Sequence, residues 1–117
     1  MLRSYALEQL APHYARWKTE PFPREKIREL GDLGVFGMLT DAEYGGSFGA
    51  GGGYVPLGLA AEELSRGDFN VSYFLQLQAI GCRLFEQSDD PDVRDRWVPA
   101  FVSGEALASF ALTEPAT

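Results

Sequence analysis

The stretch Val71-Ser72-Tyr73-Phe74-Leu75-Gln76-Leu77-Gln78-Ala79-Ile80-Gly81-Cys82-Arg83-Leu84-Phe85 decides the architecture of this chain. Val71, Phe74, Leu75, Leu77, Ile80, Leu84 and Phe85 fall on nearly every face of a helix wound through it. A helix that is apolar all round belongs among other helices, in the middle of a bundle. Asp68 or Asn70 is placed to cap its start, and the pattern runs to about Gln87.

The flanks supply the other helices. Downstream, Asp90-Pro91 pairs a capping residue with a first helical residue, followed by a Val93, Trp97, Phe101 stripe that Pro99 bends and Ser103-Gly104 ends. Upstream, Pro56 opens a helix through Leu57, Ala60, Ala61 and Leu64 that closes at Gly67. Six of the nine residues from Gly45 to Gly53 are glycine, which marks a flexible loop. Thr40-Asp41-Ala42-Glu43 has the spacing of a capping box. Further back, Pro23 starts a helix with Ile27, Leu30 and Leu33 inward, and Gly34 suits its left-handed end. Leu2, Ala6, Leu10, Tyr14 and Trp17 form the first stripe, which Pro12 kinks or divides. The fold class read from this pattern is all-α: an antiparallel bundle of about five helices.

The C-terminal residues depart from that pattern. Ala106 to Leu112 is an apolar, strand-like run that breaks into Thr113-Glu114-Pro115. A lone strand leaves its backbone donors and acceptors unpaired. The expectation is a helical domain over 1–104 and, over 105–117, the start of a β domain belonging to a larger protein.

Composition narrows the class. With 45% hydrophobic and 13% aromatic residues, the 117-residue chain can build a core burying roughly two-thirds of its unfolded surface. A net charge of −7 works against nucleic-acid binding, and the densest basic cluster, Arg94 and Arg96, is cancelled by Asp89, Asp90, Asp92 and Asp95. No apolar run approaches the ~20 residues of a membrane span. Met1-Leu2-Arg3-Ser4-Tyr5 has no apolar secretory core, and Glu8 is too acidic for a transit peptide. One cysteine and one histidine exclude a disulfide framework and a structural zinc site, and suit a reducing, cytoplasmic setting.

Four motifs carry a resemblance. Glu43-Tyr44-Gly45-Gly46, Ala61-Glu62-Glu63-Leu64, Ser103-Gly104-Glu105 and Leu112-Thr113-Glu114-Pro115 stand in the order and rough spacing of the N-terminal helical domain of the acyl-CoA dehydrogenases, which this chain resembles over essentially its whole length. The resemblance implies the N-terminal portion of an FAD-dependent oxidoreductase acting on an acyl-CoA thioester. In that family a carboxylate removes the α proton while the β hydrogen leaves as hydride to the flavin. It further implies a middle β domain, a C-terminal helical domain carrying the base, and a homo-oligomer, tetramer or dimer. No catalytic residue is therefore assigned to this chain, and no metal. The fragment by itself is expected to be inactive.

The same resemblance implies flavin contacts from Phe110, Leu112 and Thr113, with the backbone of Leu112 and Thr113 and the Thr113 hydroxyl as donors. It also implies an acyl-pocket lining from Ser72, Tyr73 and Gln76 in the first half of the fourth helix. An acyl-CoA oxidase or flavin monooxygenase of the same fold is the near alternative. A cofactor-free helical interaction module is the distant one.

Other eye-catching residues read as structural. The glycine loop lacks a complete G-x-G-x-x-G and any Gly-Lys pair, so a connector is expected. Glu62 and Glu63 point about 100° apart, and Glu62 sits four residues before Arg66 as a surface ion pair. Cys82 is expected as a packed thiol, His13 on the surface, and Trp17 and Trp97 in the core.

Overall fold

A computed structural model describes residues 1–116; Thr117, the last residue of the expected β-domain start over 105–117, lies outside the described residues. Among the described residues there are five α-helices: α1 (Leu2–Tyr5), α2 (Arg24–Asp32), α3 (Tyr54–Ser65), α4 (Phe69–Glu86) and α5 (Pro91–Ser103). The links from α3 to α4 and from α4 to α5 are three to four residues long, which forces antiparallel neighbours. Helix α4 packs against α3 on one side and α5 on the other; α1 lies on α3, and α2 on α5. The body is flat, 42 × 41 × 24 Å.

The caps follow from the sequence. The Asp68 carboxylate accepts the Asn70 N–H at 2.9 Å and starts α4, so Asp68 rather than Asn70 is the cap. Asp90 does the same for α5 through Asp92 N–H, with Pro91 as its first residue. Gly104 and Gly34 end their helices in the left-handed region, at φ 80° and 79°. Asp41, not Thr40, caps a short 3-10 turn over Ala42–Tyr44, because the Thr40 side chain is drawn into the interior.

Pro12 acts one turn ahead of itself. After α1 the chain widens into a π turn, Ala6–Leu10, in which Ala11 N–H reaches the Ala6 carbonyl at 2.9 Å. Proline at 12 cannot donate to the Glu8 carbonyl, and its ring crowds that oxygen, so the helix loosens and ends. Beyond the break the first stripe is out of register: Ala6 and Leu10 are buried, whereas Tyr14 is exposed.

The main core joins Ala6 and Leu10 to Ile27, Leu30, Phe36, Leu64, Val71, Leu75 and Ala79. A smaller cluster under α5 holds Cys82, Val98, Phe101 and Val102. Trp97, expected in the core, lies at the rim, stacked on Phe101 with ring centroids 6.0 Å apart. The glycine loop is more ordered than a free connector. Ser47 and Phe48 N–H bind the Gly37 and Thr40 carbonyls, and Gly46 packs so close to Thr40 that a Cβ would stand 2.0 Å from its oxygen. Residues Ala106 to Leu112, expected as a strand, form none among the described residues: no neighbouring strand offers them a ladder.

Candidate functional site

Helix α4 presents two distinct faces. Val71, Leu75 and Ala79 enter the core, joined by Ser72, Gln78 and Cys82. On the opposite side Phe69, Tyr73, Ile80 and Leu84 are exposed at spacings of four, seven and four, with Gln76 between them. Exposed apolar residues at helical spacing form a stripe, and such a stripe marks a surface built to be covered.

The three nominated acyl-pocket residues separate on this helix. Tyr73 (58% exposed) and Gln76 share the outer face. Ser72 is buried, and its hydroxyl donates to the Phe69 carbonyl at 2.7 Å, so it faces inward. The first half of α4 does line a cavity, of about 420 Å³, but through Asn70, Val71 and Phe74, which meet Trp17, Phe22 and Leu107 there. Sequence spacing alone did not distinguish these two sides of the helix.

The segment after α5 is anchored first and released afterwards. Gln78, fully buried, donates from Nε2 to the Phe101 carbonyl at 2.9 Å and the Ala106 carbonyl at 2.8 Å. Its Oε1 accepts the Ala108 N–H at 2.9 Å. Arg24 adds a hydrogen bond to the Glu105 carbonyl. Over 109–113 the hold lapses: this backbone makes no hydrogen bond among the described residues, Phe110 is half-buried, and Leu112 is 82% exposed. No hydrogen bond or ring contact among the described residues joins this segment to Tyr73 or Gln76.

Cys82, Glu62 and Glu63 sit in structural settings. Burial pushes the Cys82 thiol up to about 12, which leaves it protonated and unreactive at neutral pH. The Arg3 guanidinium meets Glu63 bidentately at 2.9 and 3.0 Å and holds that carboxyl below its usual range; Arg66 adds a second contact. Glu62 pairs with Arg66 at a looser 3.9 Å. No group of three His, Cys, Asp or Glu residues placed to hold a metal occurs among the described residues. No described helix is long and apolar enough to cross a membrane.

Residues 1–105 match the family described as acyl-CoA dehydrogenase, N-terminal domain. The chain belongs to this family. Among curated relatives, glutaryl-CoA dehydrogenase of Desulfococcus multivorans is 30% identical over 97% of this chain and 30% of its own length. The (2S)-methylsuccinyl-CoA dehydrogenase of Cereibacter sphaeroides is 33% identical over 98% of this chain and 21% of its own length. The crystal structure of glutaryl-CoA dehydrogenase from Mycobacterium smegmatis superposes with a TM-score of 0.84 at 33% identity, over 99% of this chain and 30% of that one. Butyryl-CoA dehydrogenase from Megasphaera elsdenii gives 0.83 at 28% identity, over 97% and 30%. The acyl-CoA dehydrogenase domain seen here thus spans less than a third of the length of these relatives.

Proposed function

We propose that this chain is the helical N-terminal part of an FAD-dependent oxidoreductase that introduces a double bond between the α and β carbons of an acyl-CoA thioester. The relatives it matches are dehydrogenases of acyl-CoA compounds by name, which supports the substrate class. The observation that carries the reading is the segment 109–113: rooted at Ala108 on buried Gln78, yet outward-facing and with its backbone polar groups unspent.

Those free groups fit a flavin. Its pyrimidine edge carries carbonyl acceptors and one N–H donor, and an unpaired extended backbone offers the complement of both. The N–H groups of Leu112 and Thr113 and the Thr113 hydroxyl are the donors, and Phe110 supplies apolar contact. When bound, the flavin supplies the two-electron acceptor; donors at its edge favour the negative charge that reduction places there. Tyr73 and Gln76, on the outer face of α4, contribute one wall of the acyl site, whereas Ser72 supports that wall from within. Proton abstraction falls to a carboxylate outside this chain, so these 117 residues alone are inactive.

We place the full-length protein in the cytoplasm, on the ground of its single cysteine and unsignalled N-terminal residues, and as a homo-oligomer, tetramer or dimer, as the family resemblance implies. The test is to purify it, record its visible spectrum, and follow bleaching against a panel of acyl-CoA thioesters. A flavin spectrum that bleaches with one class of thioester supports the reading. A colourless protein sinks it.

A further inference from the structure

Gln78 is an unusual residue to find in the middle of a bundle helix. It is fully buried, yet all three of its hydrogen bonds go to backbone outside α4, two of them to the segment that follows α5. A buried amide carries a desolvation cost of a few kcal/mol unless its polar atoms are satisfied, and here they are satisfied by one stretch of chain. Three residues further along α4 stands Gly81, also buried. A Cβ there would lie 2.4 Å from the Ala108 Cβ, closer than side chains approach. Glycine inside a helix costs about 1 kcal/mol relative to alanine, so the position is occupied at a loss to the helix itself.

The two observations are independent, one polar and one steric, and both converge on Ala106 to Ala108. We infer that Gln78 and Gly81 form a seat on α4 that sets the height and register of this segment, making Gln78 a positioning residue for the flavin-facing Phe110, Leu112 and Thr113. The inference rests on the flavin reading above for its functional half. Its structural half stands alone. Gln78 fixes the start of this extended segment through both of its amide atoms, so the peptide of Ala106 to Ala108 cannot rotate without breaking at least one bond. Gly81 sets how near the same peptide comes to the helix axis.

Three variants separate the possibilities. Gln78→Met keeps the shape and removes the hydrogen bonds. Gly81→Ala keeps Gln78 but fills the seat, while raising helix propensity. Gly81→Ala with Ala108→Gly removes the colliding Cβ, leaving the Ala108 Cα at 3.9 Å, an ordinary contact. In the 117-residue chain, exchange of the amide at position 108 is expected to accelerate about tenfold or more in both single variants and, set against a lone Ala108→Gly control, to return toward the unperturbed rate in the double variant. In the full-length flavoprotein, the single variants are expected to shift the flavin absorbance band and lower its midpoint potential, with recovery in the double variant.

Unchanged exchange at Ala108 in both single variants overturns the seat. Accelerated exchange with an unaltered flavin band and potential overturns the positioning role. A full-length wild type purified without flavin refutes the functional reading instead, and exchange at Ala108 still decides the seat.

Discussion

The carbonyl oxygen of Ser103 stands where a side chain on Gly31 would begin: a Cβ at 31 would be 2.1 Å from it. Helices α2 and α5 therefore cross backbone against backbone, and Gly104 continues the contact onto the Ile27 carbonyl. Gly31→Ala gains helix propensity of about 1 kcal/mol but must push two helices apart, and overpacking of this kind costs about 1–3 kcal/mol. The backbone carbonyl cannot swing away as a side chain would, so a net destabilisation is expected, read as a lower urea midpoint with an unchanged slope.

Stability should fall in acid partly through Glu63. Its carboxyl is held below its ordinary value of 4.5 chiefly by the Arg3 hydrogen bond, so the folded state prefers it ionised. The contribution is present above that ordinary value and is lost as pH falls through the depressed folded value. Glu63→Gln should narrow the gap between urea midpoints at neutral and acid pH. An equal gap in both proteins would assign the acid loss to other carboxylates.

Cys82 gives the opposite dependence. Burial lifts its thiol from 9.0 to about 12, so the unfolded chain ionises first and stability declines as pH rises from about 9 toward about 12. Cys82→Ala should flatten part of that alkaline decline, at a cost from the small cavity it leaves at every pH. In the wild type a thiol reagent at pH 8 should react only as fast as the chain opens, whereas immediate labelling would contradict the burial.

The two faces of α4 predict a clean division among three neighbours. Tyr73→Ala and Gln76→Ala remove exposed side chains and should change stability by no more than about 0.5 kcal/mol. On the proposed acyl-site reading, Tyr73→Ala in the full-length protein should raise KM for an acyl-CoA by about tenfold, as expected for losing one aromatic contact. Ser72→Ala should do the reverse, leaving KM near wild type while costing up to about 1 kcal/mol of stability through its bond to Phe69. Similar KM changes at all three positions would show that the wall is not the outer face.

Much of the fold was legible because helix ends have local chemistry. Asp68, Asp90-Pro91, Gly34 and Gly104 act where their residue types predict. Pro12 disrupts its helix as a missing donor must. What was not legible depends on partners distant in sequence. A helix apolar on every side gives no signal for which side the core takes, so Ser72 was grouped with Tyr73 although 100° separates them. Tyr14 fits its stripe, but the widened turn before Pro12 carries it out of register to the surface, and Trp97 lies at the rim against Phe101 while Val98 and Val102 take the core. Gln78 carries no motif at all. A glutamine amid apolar neighbours, three residues before a helical glycine, is visible as a pattern only once the segment it holds is known.

The outer stripe of α4 bears on how the isolated chain behaves as a solute. Each molecule carries a net charge of −7, and repulsion between copies opposes the meeting of Phe69, Tyr73, Ile80 and Leu84 on neighbouring molecules. Added salt shortens the reach of that repulsion to about 10 Å at 0.1 M but leaves the hydrophobic attraction in place. Raising ionic strength should therefore turn a dispersed preparation turbid, and a single charged substitution at Ile80 should keep it clear.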